Sequence, residues 1–468
     1  MVIIMYFEGN QAKDVKIAYI GGGSRAWAWN FMSDLAANED ISGKIHLYDI
    51  DFEAAYNNEI IGNKYNSASG ARSHWDYKAV HTLKESISGA DFVIISILPA
   101  TFEEMEADVH LPEEYGIYQS VGDTTGPGGV IRSLRTVPMM EEIALAVKEY
   151  APNAWVLNYT NPMAVCVDTL YRTFPGIKAY GCCHEVFGTQ NVLITALEEF
   201  CGIQGVKRED IRVNVTGINH FTWLTEAHYA NIDLFPVYRQ FCEKYHTIGH
   251  GKEKEDENWL NKYFKGDQRV KMDLFLRYGL IAAAGDRHLA EFCPGKWYLK
   301  DPETVSHWGF SLTPVSWRKA LNEERIKQCE DLKNGKTPVM IKPTGEEGVN
   351  QIRAILGLST LVTNVNLPNS GQIPNLPMGC IVETNAVFSA DSVIPVFAGP
   401  IPSQIYSLIS RVAAEQHITA TAAIKRDLQL AFSAFVSDPL MTIPIGEARE
   451  LFDRMIARTK KYLAMYKV

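Results

Sequence analysis

The chain has 468 residues, more than one hydrophobic core usually organises, and this length predicts two closely packed domains. Hydrophobic residues make up 46% and charged residues 21%, as in folded globular proteins. The formal net charge of -10 argues against nucleic acid as the main partner, because binding phosphates requires a basic surface. No apolar run reaches the roughly 18 residues of a membrane helix, so no membrane partner is expected.

The expected location rests on the first residues and on the cysteines. The stretch from Met1 to Phe7 is apolar, but it is too short for a signal peptide and has no basic region before it. Eight cysteines in so long a chain, two of them adjacent at Cys182 and Cys183, are not the pattern of a disulfide framework. We expect a cytoplasmic protein with reduced thiols.

The first 200 residues alternate short apolar runs with helical periodicity, which predicts an α/β fold with a Rossmann-like, doubly wound parallel sheet. The predicted strands are 16–20, 44–50, 91–97, 154–159 and 178–182. The predicted helices between them include 25–37, 52–65 and 130–150, the last with Pro138 inside it.

The pattern changes after about residue 200. Alternating strands at 211–216 and 221–229 precede aromatic-rich helical segments, a polar stretch around 249–258 and closing helices at 404–425 and 445–466. We therefore predict a nucleotide-binding domain over 14–200. A mixed α+β domain over 201–468 would serve catalysis, substrate binding and oligomerisation, with the site between the two domains.

A glycine turn follows the first predicted strand. Gly21-Gly22-Gly23-Ser24 leads into a helix, an arrangement that places backbone N–H groups and the helix dipole against a pyrophosphate. Gly21 allows the tight turn, and Gly23 lets the backbone approach the phosphates. Asp49 ends the second strand, where its carboxylate can bind ribose hydroxyls and disfavour a 2′-phosphate. These features predict binding of NAD rather than NADP.

Candidate metal ligands stand at the ends of later strands. Cys183 follows Gly181-Cys182, and His220 follows Gly217-Ile218-Asn219. A thiolate and an imidazole suit a divalent metal, but two ligands are too few for a closed structural site. A charged cluster from Gly285 to Phe292, which contains Asp286, follows an apolar run and is a further candidate.

Taken together, these motifs resemble glycoside hydrolase family 4, and the resemblance extends from about residue 16 to the final helices. The motifs occur in the family's order at 20–24, 161–163, 183–184, 217–221 and 375–377. The variants at 120–129, 182–190 and 285–292 are similar to the α-galacturonidase branch of that family.

The resemblance implies a reaction that depends on NAD and a divalent metal, usually Mn2+. In this family NAD oxidises the sugar at C3, and a base removes the acidified C2 proton. The glycosidic oxygen leaves from C1 by elimination, water adds, and the hydride returns. This route differs from that of glycosidases that use two carboxylates.

The resemblance also implies residue roles. Cys183 and His220 hold the metal, and sugar O2 and O3 complete its shell. Asp286 is the C2 base, and His184 is the candidate for protonating the leaving oxygen. Asn219 binds sugar hydroxyls, and Asn161 binds both the sugar and the cofactor. Gly21, Gly23, Ser24 and Asp49 bind NAD.

The branch resemblance favours an α-linked galacturonide, whose carboxylate needs a cation. An arginine can supply a bidentate fork, and Arg287 is the first choice because it follows the implied base Asp286 by one residue, while Arg25 and Arg132 remain open. No extra phosphate-recognition cluster supports a 6-phosphoglycosidase.

Alternatives within the family are an α-galactosidase, an α-glucosidase or an α-glucuronidase. Outside it, a lactate/malate-type 2-hydroxy-acid dehydrogenase or a non-enzymatic NAD sensor would need no metal pair. We expect a homodimer or homotetramer.

Overall fold

The computed structural model describes residues 5–251, 266–342 and 344–466, so most of the polar stretch predicted around 249–258 lies outside the described residues. The strands are β1 Tyr6–Glu8, β2 Gln11–Ile20, β3 Ile41–Tyr48, β4 Trp75–Val80, β5 Phe92–Ile95, β6 Trp155–Asn158, β7 Lys178–Gly181, β8 Ile211–Ile218, β9 Phe221–Tyr229, β10 Ile232–Asp233, β11 Ile281–Ala282, β12 Leu361–Pro368, β13 Ile381–Ser389 and β14 Ser392–Pro395.

The helices are α1 Trp27–Ala37, α2 Phe52–Tyr65, α3 Leu83–Ile87, α4 Phe102–His110, α5 Gly126–Tyr150, α6 Met163–Thr173, α7 Glu185–Cys201, α8 Leu234–Tyr245, α9 Arg269–Tyr278, α10 Asp286–Phe292, α11 Pro302–His307, α12 Val315–Lys333, α13 Gly348–Ile355, α14 Ser403–Lys425, α15 Leu428–Ser437 and α16 Ile445–Thr459. Short 3-10 turns occur at Pro112–Tyr115, Arg208–Asp210 and Lys460–Tyr462.

The larger sheet has a Rossmann core. Its parallel strands run in the order β4-β3-β2-β5-β6-β7, and β2 is central because Ile17 pairs with both Ile45 of β3 and Phe92 of β5. Helices connect successive strands, as right-handed crossovers require. This order reverses at β2 and β5, as in dinucleotide-binding folds. The predicted fold class is confirmed.

Strands from the C-terminal half extend the same sheet. β12 pairs antiparallel with β7 through Asn366 and Gly181, and β13 and β14 continue outward from β12. The predicted boundary between 14–200 and 201–468 stays a proposal. Three strands of the second region nevertheless complete the sheet of the first.

A second, antiparallel sheet joins β8, β9, β10 and β11. β8 and β9 form a hairpin in which Ile218 faces Phe221, so Asn219 and His220 form its two-residue turn. His220 has a φ of 63°, a left-handed conformation that residues other than glycine rarely adopt. The turn therefore directs two polar residues out of an apolar hairpin.

The predicted elements mostly agree with the structure, with two informative differences. The sequence prediction omits β4, although Trp75 and Tyr77 are buried and Asp76 and Lys78 are exposed in the alternation of a strand. Helix α5 begins four residues before the predicted start. Pro127 lies in its first turn, where proline is tolerated because N–H groups at that position have no acceptor within the helix.

Apolar side chains cover both faces of the larger sheet. On one face Ile17 and Ile45 pack with α1, α2 and α13, and on the other Val93 and Ile95 pack with α5 and α6. A further cluster joins α5 and α14 to the β8–β9 hairpin. This cluster anchors the hairpin beside the sheet. Among the described residues, no helix combines the length and apolarity needed to cross a membrane.

Candidate active site

The predicted site residues lie where the parallel strands end. Gly21, Asp49 and Cys183 follow β2, β3 and β7, and Asn161 lies three residues after β6. The β8–β9 turn of the second sheet adds His220. Ligands of open parallel sheets bind at the carboxyl ends of the strands, so this edge is the expected position.

The glycine turn is a closely packed structure. Gly21 has a φ of 91°, and a Cβ there would overlap the carbonyl oxygen of Ser96. A Cβ at Gly23 would lie 2.6 Å from the Cβ of Ala54 in α2. The Gly23 N–H donates to Asp49 Oδ2 at 2.9 Å, and the Ser24 N–H donates to the Gly21 carbonyl at 3.0 Å. The glycines thus permit close packing, and the N–H of Gly23 is used inside the turn.

Donors for a phosphate lie slightly further along the chain. Helix α1 begins at Trp27 and has no side-chain cap, and among the described residues the N–H groups of Arg25 and Ala26 have no acceptor. These donors stand at the positive end of an 11-residue helix, which favours anions. The arrangement fits the pyrophosphate of a dinucleotide.

Asn58 holds the glycine turn against α2, a role that sequence reasoning missed. Its Nδ2 donates to the carbonyls of Gly22 and Ser24 at 2.8 and 2.9 Å, and its Oδ1 accepts from Trp29 Nε1 at 2.8 Å. The only signal in the sequence is an asparagine among the apolar positions of α2, and such a residue is common in helices that bind no ligand.

Asp49 is positioned for the predicted ribose contact. Its Oδ2 accepts from Gly23 and its Oδ1 from the Asp51 N–H at 3.0 Å. Burial raises the pKa of Asp49, while these hydrogen bonds lower it. The ribose role stays a proposal, and the structure adds that Asp49 also supports the glycine turn.

We expect Asp49→Ala to weaken NAD binding and to reduce the preference for NAD over NADP by about 10-fold, because a carboxylate near a 2′-phosphate is repelled. Calorimetric Kd values for both nucleotides measure this change. Asp51→Ala is the matched control, since Asp51 is exposed and caps α2 through the Ala54 N–H. Equal affinity of the unmodified protein for NAD and NADP would contradict the assignment.

His220 has the protonation state of a metal ligand. The Thr124 hydroxyl donates its single proton to Asp123 Oδ1 at 2.8 Å and lies 3.0 Å from His220 Nδ1. Nδ1 must therefore carry the proton of that bond, which leaves the Nε2 lone pair free. Burial lowers the pKa of His220 to about 3, so the ring is neutral. Asp123 and Thr124 were not predicted, although both lie in the 120–129 motif.

Cys183 lies beside the same turn. The Asn219 side chain adjoins its thiol, and its carbonyl accepts from Asn364 Nδ2 at 3.1 Å. Burial, with nearby Glu383 and Glu185, raises the pKa of Cys183 well above its usual range. A bound cation would reverse this effect, because metal ligation deprotonates a thiol. The neutral imidazole and the buried thiol fit a divalent metal.

Acidic and imidazole groups surround this pair. The rings of His220 and His288 have centroids 3.9 Å apart, and Glu185 Oε1 lies 3.6 Å from His288 Nε2. Histidine charges lower the pKa of Glu185 to about 2, against the effect of burial. Within the described residues, no three His, Cys, Asp or Glu side chains form a metal-holding group. Glu185 and His288 flank predicted residues but were not themselves predicted.

Three predicted site residues carry buried oxygens without a hydrogen-bond partner among the described residues: Asn161 Oδ1, Asn219 Oδ1 and Asp286 Oδ2. Buried polar atoms normally have partners, so these acceptors mark positions for ligand donors. Asn219 is itself held by Glu383, because its Nδ2 donates a hydrogen bond to Glu383 Oε2 at 3.1 Å.

Asp286 is held at one oxygen and open at the other. Its Oδ1 accepts the Lys271 N–H at 3.0 Å, at the start of α9. Burial raises the pKa of Asp286 to about 6, while the Lys271 charge and backbone hydrogen bonds lower it. A carboxylate with this pKa is ionised at neutral pH and is a stronger base than an exposed aspartate.

His184 lies on the outer side of Cys183. Its Nδ1 is 3.2 Å from Glu346 Oε1, and its ring is 5.9 Å from that of Trp27. Hydrogen bonding to Glu346 raises the pKa of His184 to about 8, so the ring carries a proton at neutral pH. Half of the side chain is exposed. Its predicted role as the acid stays a proposal.

The Arg287 side chain joins two segments of the chain. Nε donates to the Ser311 carbonyl at 3.2 Å, and Nη2 donates to the Ser120 carbonyl at 2.6 Å and contacts the Thr313 hydroxyl. Burial lowers the pKa of Arg287 to about 10, so it remains charged.

The other two candidate cations for a uronate lie elsewhere around the site. Arg132 donates from Nε to the Asn161 carbonyl at 3.1 Å. Arg25 lies beside Asp49 and Cys329, near the glycine turn. The role of a uronate-binding cation thus stays a proposal for each of the three predicted arginines.

Comparison with known proteins decides the family. The family 4 glycosyl hydrolase profile matches residues 16–199, and the profile of its C-terminal domain matches residues 215–441. The chain belongs to glycosyl hydrolase family 4. The resemblance predicted from the motifs is confirmed, and it includes the branch. An α-galacturonidase of Thermoanaerobacterium saccharolyticum is 58% identical over 464 residues, which cover 99% of this chain and 100% of that protein.

Solved structures show the same fold. The crystal structure of the glucosidase lplD from Bacillus subtilis superposes on this chain with a TM-score of 0.90. The two sequences are 53% identical, and the match covers 95% of this chain and 100% of that chain. A 6-phospho-α-glucosidase from gut microorganisms, solved with NAD and Mn2+, is 21% identical and covers 96% of this chain and 99% of that one. Its TM-score of 0.78 shows a shared fold.

Proposed function

We propose that this chain is an NAD-dependent, Mn2+-assisted α-glycosidase that hydrolyses α-D-galacturonides. The observation that carries the proposal is the state of His220, whose Nε2 lone pair is left free by the Thr124–Asp123 pair in a turn that also brings Asn219 beside Cys183. The 58% identity to an α-galacturonidase supports the substrate class. Family membership favours a glycosidase over the dehydrogenase and sensor alternatives.

The cofactors would occupy two adjoining regions of the site. The donors after the Gly21–Gly23 turn and Asp49 would hold NAD, and Cys183 and His220 would hold the metal with sugar oxygens. When bound, NAD supplies reversible hydride transfer at C3 of the sugar, and the metal supplies Lewis-acid polarisation of the C3 oxygen.

The remaining steps fall to side chains of this chain. Asp286 removes the C2 proton through its unpartnered Oδ2, and its Lys271 contact fixes the carboxylate. His184 donates a proton to the leaving glycosidic oxygen. Asn161 and Asn219 accept hydrogen bonds from sugar hydroxyls through their free Oδ1 atoms, which orients the ring.

The oligomeric state and location extend this proposal. Val362, Val387 and Ile394 face one another across β12, β13 and β14 and form an apolar row at the end of the large sheet, with Val362 and Ile394 exposed. Exposed apolar rows of this kind favour self-association, which supports a homodimer or homotetramer. The reduced state of the proposed thiol ligand supports a cytoplasmic location.

The substrate class is tested with chromogenic glycosides. With NAD, Mn2+ and a thiol reductant, we expect kcat/KM for p-nitrophenyl α-D-galacturonide to exceed that for p-nitrophenyl α-D-galactoside by at least about 100-fold, because a site built for a polar group rejects an analogue that lacks it. Comparable rates on the two substrates would overturn the uronide assignment but not the family.

A further inference from the structure

Helix α12 carries an arginine that the proposed chemistry does not use. Arg318 lies in the first turn of this helix, Val315–Lys333. The helix packs against α2 and α4, which follow β3 and β5, so it covers the carboxyl ends of the parallel strands. Thr313, just before α12, contacts the Arg287 guanidinium. Arg318 therefore lies at the wall of the site.

The surroundings of Arg318 are charged. Its electrostatic neighbours are Asp123 and Glu291 among the acids and Arg132, Arg287 and Arg325 among the bases. Burial lowers the pKa of Arg318, but an arginine keeps its charge in a protein. Asp123 belongs to the pair that orients His220, so Arg318 interacts electrostatically with the surroundings of the proposed metal ligand.

Arg318 differs from the other two arginines in its hydrogen bonds. Arg132 donates to the Asn161 carbonyl, and Arg287 donates to the carbonyls of Ser311 and Ser120. Across 5–251, 266–342 and 344–466, no hydrogen bond or ion pair involves the Arg318 side chain. The five N–H donors of this partly buried guanidinium are thus available to a ligand.

The two acids nearest Arg318 differ in charge. Burial raises the pKa of Glu291 to about 8, against the effect of hydrogen bonds from the Val121 and Gly122 N–H groups, so Glu291 is mostly protonated at neutral pH. Although burial opposes its ionisation, the charge of Arg132 lowers the pKa of Asp123 to about 2. The ionised carboxylate of Asp123 is thus shared by the arginines at positions 132, 287 and 318, and Glu185 also acts on Arg287. Among the described residues no carboxylate forms an ion pair with Arg318, and a partly buried guanidinium without such a partner favours an anionic ligand.

We propose that Arg318 is the specificity-determining residue that binds the C6 carboxylate of the galacturonide through a bidentate guanidinium–carboxylate pair. This inference rests on the proposed function. A planar fork matches a carboxylate, and pairing in a water-poor site gives strong discrimination against a neutral sugar. Arg287 lines the same wall, but its hydrogen bonds hold Ser120 and Ser311 in place, so it positions the loops around Arg318.

The test uses the holoenzyme with NAD and Mn2+ and compares Arg318→Gln, Arg318→Lys and the matched control Lys319→Gln. Lys319, the next residue, pairs with Glu106 of α4. Its replacement by glutamine removes one positive charge at a neighbouring position. Two readouts are combined: kcat/KM for p-nitrophenyl α-D-galacturonide and α-D-galactoside, and calorimetric Kd for D-galacturonate and D-galactose.

Arg318→Gln should lower kcat/KM for the galacturonide and weaken D-galacturonate binding by about 100-fold each, because one charged, bidentate pair is lost. The values for galactoside and galactose should change less than about 3-fold, the scale of a lost surface contact. Arg318→Lys should recover part of the loss, since it restores the charge without the fork. Lys319→Gln should behave like the unmodified enzyme.

Thermal unfolding separates binding from folding. Because Arg318 has no partner among the described residues, Arg318→Gln should not lower the Tm of the ligand-free protein, whereas the rise in Tm with D-galacturonate should disappear. An equal fall for both substrates, or retained discrimination in Arg318→Gln, overturns the role of Arg318. Failure of the unmodified enzyme to prefer the galacturonide instead overturns the proposed function, so the two failures are distinguishable.

Discussion

Cys183→Ser and His220→Ala are each expected to reduce metal-dependent turnover by about 1000-fold or more, because Lewis-acid stabilisation of an oxyanion contributes several kcal/mol. Both side chains lie outside the glycine turn, so NAD binding should persist. The measurements are kcat/KM with a Mn2+ titration, and the NAD Kd by calorimetry. Chelation with EDTA should reproduce the loss in the unmodified enzyme.

The matched control is Cys182→Ser. Cys182 adjoins Cys183 in the chain, but its thiol donates to Gln351 Oε1 at 3.2 Å, away from the His220 turn. This variant should keep its Mn2+ dependence. Activity of the unmodified enzyme should also fall in air and return with a reductant, because an oxidised thiol cannot ligate a metal. Full activity in EDTA would contradict the proposed mechanism.

Asp286→Asn is expected to lower kcat by about 100- to 10,000-fold, the usual contribution of a general base. The asparagine Oδ1 can still accept the Lys271 N–H, so the start of α9 should remain intact. The decisive measurement is isotopic. Turnover by the unmodified enzyme in D2O should place deuterium at C2 of the released sugar, and Asp286→Asn should lose C2 exchange while still binding NAD and D-galacturonate.

The pH profile provides an independent test of Asp286. Burial raises its pKa to about 6, and the base acts only after losing its proton. The value of kcat/KM should therefore fall as the pH drops through about 6, rather than near 4 as for an exposed aspartate.

Product without deuterium at C2 would indicate a route through an oxocarbenium ion instead of elimination.

Local sequence patterns determined the nucleotide-binding half of the fold. Apolar runs flanked by glycine turns predict the parallel strands, because a strand buried on both faces must be apolar along its length. The glycines of the Gly21–Gly23 turn and Asp49 follow from the same local rule, since each lies within a few residues of its strand. Order along the chain also placed Cys183 and His220 at strand ends. These predictions need no knowledge of distant contacts.

Contacts between distant segments decided the rest. Thr124 sets the tautomer of His220 across 96 residues, and Asn58 holds Gly22 across 36 residues. A hydrogen bond of this kind leaves no periodic trace in the sequence, because each partner alone is a residue type found in many settings. The extension of the large sheet by β12–β14 likewise depends on a single pairing, Asn366 with Gly181.

The arginines show the difference most directly. From the sequence, Arg287 is the natural choice for a carboxylate because it adjoins Asp286, but adjacency in a chain says little about where a long side chain ends. In the folded protein Arg287 donates to Ser120 and Ser311, while Arg318 on α12 keeps its donors free among the described residues. Residue types and local order follow from the sequence. Which charged side chain lacks a partner is decided only by packing, because it depends on every group around that side chain.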